Sequence, residues 1–121
     1  ILNKVRNLLA QVEERVYLSC TRNYLLLLVG ELETLMSQGK KVVIITDQPV
    51  TFDNAKVYVA EARGMQIGVI ADSKYVLTGE YGEGSRNTCL YSGQENFVEL
   101  YKTALANEIK LVSIREERQK S

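Results

Sequence analysis

Residues 42–46 read Val-Val-Ile-Ile-Thr, a β-branched run with no polar face. Such a strand belongs in the middle of a sheet whose two faces are both covered. The residues before it supply one cover. Over 23–38, Leu25, Leu28, Leu32 and Leu35 recur at helical spacing, and Leu26, Leu27, Val29 and Met36 widen the apolar surface. Gly39 offers a left-handed stop. Lys40 and Lys41 stand by the negative end of the helix dipole. Upstream, residues 16–20 (VYLSC) read as a short strand, and Thr21 can cap the helix that follows. Strand, helix and strand within about thirty residues make a βαβ unit. The fold class is α/β.

A second organising stretch is 65–79, MQIGVIADSKYVLTG. Ile67, Val69, Ile70, Val76 and Leu77 are apolar, and Asp72-Ser73-Lys74 interrupts them, which predicts a β-hairpin with a short polar turn. Gly79 is expected to end its second strand. Val57 and Val59 alternate with polar residues and tyrosine over 55–62, as in an exposed edge strand. Residues 80–86 read as a loop and 87–91 as another strand. Ser92 and Glu95 have capping-box spacing. The helix they start carries Phe97, Val98, Tyr101, Ala104 and Leu105 on one face and extends to about 114; a final strand at 109–114 is the rival reading.

The chain opens on an amphipathic stretch over 1–15. Leu2, Val5, Leu9, Val12 and Val16 follow helical spacing. This helix either packs on its own domain or links and dimerises a longer protein. Ile1 in place of an initiating Met is what a piece of a longer chain would show.

Fifteen acidic and fifteen basic residues cancel, so a broad basic face for nucleic acid is not expected. No apolar run has membrane-spanning length, and a cytoplasmic protein is expected. Cys20 and Cys89 lie far apart in apolar surroundings and read as reduced thiols. The sequence has no histidine. Ser-His-Asp and Cys-His catalysis are therefore closed to this chain by itself, as are imidazole zinc sites. No catalytic residue, metal site or cofactor is expected.

The hairpin resembles a catalytic motif whose catalysts are gone. The phospholipase D superfamily carries H-x-K-x4-D-x6-G in a hairpin after a βαβ unit. There the histidine attacks phosphorus, the lysine holds the phosphate and the aspartate lies beneath them. Asp72 and Gly79 match, whereas the histidine position holds Met65 and the lysine position Ile67. A thioether forms no phosphoenzyme, and an aliphatic chain holds no phosphate. Transcription regulators of the TrmB family carry a winged helix, a helix and then a phospholipase D-like domain without catalysts. Residues 1–114 resemble the latter part, through the leading helix, VYLSC, the leucine-rich helix ending Gly39-Lys40-Lys41-Val42, IGVIADSKYVLTG and TCLYSGQENFVELY.

The resemblance implies a phospholipase D-like, βαβ-containing mixed sheet flanked by helices. It divides the chain into a linker or dimerisation helix (1–15), an effector or dimerisation domain (16–114) and a charged tail (115–121). It implies that DNA is met only through a winged helix upstream, and a small-molecule effector. A homodimer is expected from the leading helix and from Leu26, Leu27 and Val29, which lie off the Leu25/Leu28/Leu32/Leu35 stripe and would form an apolar patch. A purely structural dimerisation module and a divergent phosphodiesterase are the alternatives. Ligands of open α/β sheets favour the carboxyl ends of strands, which singles out Thr21, Arg22, Asp47 and Gln48; Asp72 and Arg86 complete the candidates. Each also reads as a cap, a turn or a surface salt bridge. Leu2, Val5, Leu9, Leu26 and Leu27 are the candidate dimer contacts.

Overall fold

The computed structural model describes residues 2–60, 66–80 and 89–120, with side chains to residue 115. Six strands form one mixed sheet in the order β3-β2-β1-β4-β5-β6. Strands β1 (Arg15–Ser19), β2 (Lys41–Thr46) and β3 (Ala55–Val59) are parallel; β4 (Gln66–Ala71), β5 (Tyr75–Glu80) and β6 (Cys89–Ser92) continue the sheet antiparallel. Helices α1 (Leu2–Ala10), α2 (Arg22–Leu25) and α3 (Val29–Ser37) supply residues to one core, with Val16, Leu18, Val42, Ile44, Ile67 and Leu77 from the sheet. Helix α4 (Glu95–Lys120) covers the other face, over Ile45, Ile70 and Val76. Among the described residues no helix is long and apolar enough to cross a membrane.

The βαβ unit forms as its sequence requires. Five of the six β2 residues are buried. Gly39 has φ +77°. Its N–H donates to Met36 O at 3.0 Å and the Lys40 N–H to Leu35 O at 3.1 Å, a Schellman close. The expected 23–38 helix is interrupted by a 3₁₀ turn at Leu26–Leu28. Residues three apart eclipse in a 3₁₀ turn, which keeps Leu25 and Leu28 on one fully buried line while Leu26 and Leu27 face solvent.

Five local expectations need correction. The leading helix stops at Ala10 instead of continuing to 15. Val12 is buried all the same, so its place in the apolar period reflects the core, not helix. The backbone N–H groups of residues 13–15 find a carboxylate partner described below. Gly79 lies inside β5, paired with Ile67 and Cys89, and does not end it. The Ser92 hydroxyl accepts from the Gln94 N–H at 3.0 Å rather than that of Glu95; the helix begins at Glu95, two residues later than a capping box at Ser92 requires. Helix α4 runs through 109–114, where a strand was the rival, and through the 115–120 stretch read as a tail. No glycine or proline stops it. Ala104 turns to solvent, off the buried face assigned to it.

Candidate functional site

Four of the six candidate ligand residues come together at the carboxyl ends of β1 and β2. Thr21 Oγ1 accepts from the Tyr24 N–H at 3.4 Å, as a helix cap. Asp47 Oδ1 accepts from the Arg22 N–H at 2.9 Å, so this carboxylate is engaged at the start of α2. The buried Thr46 hydroxyl lies 3.5 Å from the same oxygen. The Arg22 guanidinium reaches Gln48 Oε1 at 3.4 Å. Arg22 also borders a groove of about 400 Å³ between α2–α3 and residues 50–54, with Leu26, Glu33, Met36 and Phe52 in its walls. A cation and an amide beside a half-apolar groove can hold an anionic or polar group; Thr21 and Asp47 mainly hold the backbone. The contribution of residues 50–54 was not visible in the sequence, where only Asp53-Asn54 carries a signal, that of a turn.

Asp72 lies at the opposite end of the sheet. Its turn places Asp72 at φ 55° and Ser73 at φ 57°, the left-handed pair that a type I′ turn needs. The Lys74 N–H donates to Ala71 O at 3.0 Å. The Asp72 carboxylate accepts from the backbone N–H groups of Glu14 at 2.7 Å, Arg15 at 3.1 Å and Glu13 at 3.0 Å. Burial opposes its charge, but these three donors and the nearby Lys74 ammonium together hold the carboxyl below its ordinary value of 3.8. Asp72 thus clasps the segment between α1 and β1. Arg86 and Met65 lie outside the described residues.

The hairpin register explains the motif spacing. Ile67 pairs directly with Gly79, and Ala71 with Tyr75. The lysine position of the motif therefore stands across the ladder from its glycine. Here that position is an isoleucine, 2% exposed and within the α1–α3 core. On the other face, Gly68 admits Tyr101 of α4. A Cβ built on Gly68 would sit 1.7 Å from the tyrosine oxygen. Glycine inside a strand is a signal of such close approach, and it was available in the sequence.

The candidate dimer contacts separate. Val5 and Leu9 are fully buried in the chain's own core, and Leu2 packs against that core. They contribute to folding and leave no leading-helix stripe open. Leu26 and Leu27 are 53% and 51% exposed.

No family model matches the chain, and no curated protein sequence matches it. Solved structures do. Over 88% of its length the chain superposes on TrmBL2, an archaeal chromatin protein described as showing a novel mode of DNA binding, with TM-score 0.71 and 12% identity. It covers 47% of that chain, about half. It also superposes on NucT from Helicobacter pylori, with TM-score 0.66 and 15% identity, covering 92% of this chain and 87% of that one. Together with the six-stranded mixed sheet flanked by helices, these likenesses give the chain a phospholipase D-like fold.

Proposed function

We propose that this chain is the non-catalytic effector-sensing or dimerisation domain of a TrmB-like transcription regulator. It acts in the cytoplasm as a homodimer, and a winged-helix domain upstream makes the DNA contact. The observation that carries this reading is Ile67. The position that must hold phosphate in a phospholipase D-like hairpin is aliphatic and buried in the core, in a chain without histidine. The likeness to part of a DNA-binding archaeal chromatin protein supports the regulator context. Incubated with a chromogenic phosphodiester and with DNA or RNA, the purified chain should give background turnover only. Turnover that survives repurification and is lost in Asp72→Asn overturns the reading in favour of a divergent phosphodiesterase.

A purely structural dimerisation module is the second reading, favoured by the engagement of Thr21 and Asp47 with backbone groups. Thermal-shift measurements against a panel of anionic metabolites separate the two. Stabilisation that disappears in Arg22→Ala supports an effector; an unresponsive protein supports the structural module.

A further inference from the structure

Helix α4 packs on the sheet with one stripe and leaves another in solvent. Val98, Leu105 and Val112 are buried. On the far side Leu100 is 69% exposed, Leu111 58% and Ile114 40%, with Ala104 and Asn107 exposed between them. These five residues fall at 4-3-4-3 spacing, the period with which paired helices interlock. A helix that covers a sheet needs one apolar stripe, and a second, uncovered one marks a contact.

We propose that α4 pairs antiparallel with α4 of a second copy of this chain, about a two-fold axis. Charge selects the direction. In a parallel pair Lys110 would face the partner's Arg115 on both sides, a like-charge contact at the flanking positions that set orientation. In the antiparallel pair Lys110 lies by the partner's Thr103, with the partner's Glu99 on the same flank. Leu100 then meets the partner's Leu111, and Asn107 meets the partner's Ala104. The polar amide is thereby set against a small side chain and not a large apolar one. Two-fold symmetry repeats each contact. The other exposed pair, Leu26 and Leu27, belongs to the α2–α3 side of the sheet, where two adjacent leucines make no repeat that a partner helix could match. The inference rests on the dimeric part of the regulator reading and not on its effector or DNA-binding parts.

Sedimentation of the chain at micromolar concentration should give twice the chain mass. Leu111→Glu sets a carboxylate against the partner's Leu100 twice and should weaken pairing about a hundredfold. Because Leu111 is exposed, the fold should survive, as checked by circular dichroism. Asn107→Leu should tighten pairing, a gain that misfolding cannot mimic. Leu27→Glu should leave the mass unchanged. Direction is read by oxidative cross-linking in a Cys89→Ser background. Leu100→Cys combined with Leu111→Cys should give a covalent dimer, and Leu100→Cys alone should not, because the axis sets the two copies of position 100 about 16 Å apart along the helices. A monomeric wild type, or a dimer that survives Leu111→Glu and dissociates on Leu27→Glu, overturns the proposal. So does cross-linking by Leu100→Cys alone. The non-catalytic reading fails by a different result, phosphodiester turnover.

Discussion

Asp72 gathers three backbone donors from a segment nearly sixty positions earlier in the chain. Hydrogen bonds to a charged acceptor are among the stronger ones, and Asp72→Ala leaves the Glu13, Glu14 and Arg15 N–H groups without it. The expected loss is about 2 kcal/mol in a urea titration. The pH dependence follows from the depressed carboxyl. Unfolded, Asp72 titrates near 3.8; folded, it titrates lower. Its contribution is fully present above the unfolded value and disappears as pH falls through the folded one. The stability gap between wild type and Asp72→Asn should therefore be constant near pH 6 and shrink below about pH 4. A gap that widens on acidification would contradict this assignment. The motif spacing located Asp72 in the sequence but not its partners, because the contact joins a turn to a distant segment. Thr21 was legible as a cap because that bond spans three residues.

At the scale of elements, α4 is keyed to the sheet at Gly68. Gly68→Ala forces a methyl group into the Tyr101 ring and hydroxyl. Overpacking of this kind costs about 1–3 kcal/mol, so the melting temperature should drop by several degrees, as calorimetry would show. Tyr101→Phe in the same chain should recover part of the loss and not all of it, since the ring carbon beneath the hydroxyl would still lie 2.7 Å from the new Cβ. Full additivity of the two changes would mean that they do not meet. Element existence was readable from periodicity throughout: the βαβ unit, the hairpin and the long last helix all stand where apolar spacing puts them. Boundaries were less so. Val12 and Val16 continue the helical period of α1 and yet lie in an irregular connection and a strand, because periodicity reports which side chains reach the core and not which backbone carries them.

For the molecule as a whole, balanced charge is the property that bears on DNA. With equal numbers of acidic and basic residues, few phosphates can be neutralised and little counterion release is available. The isolated chain should bind duplex DNA no more tightly than about 10 μM at physiological salt in an anisotropy titration. Tight, sequence-selective binding by the chain alone would transfer the DNA contact to this domain. The fold class was legible from VVIIT and the leucine-rich helix, whereas the carboxyl-end cluster was legible only as a location. Which of its side chains are already engaged depends on backbone groups that the folded sheet brings up. The strand order also bears on how the protein is made. Strand β1 sits between β2 and β4, and its Val16 waits for Ala71. On the ribosome the three parallel strands are complete while one edge of β1 is still open. Open apolar edges recruit foreign strands. A chain stalled before Gln66 therefore keeps that inner edge open, and arrival of the hairpin is the step of its synthesis that closes it.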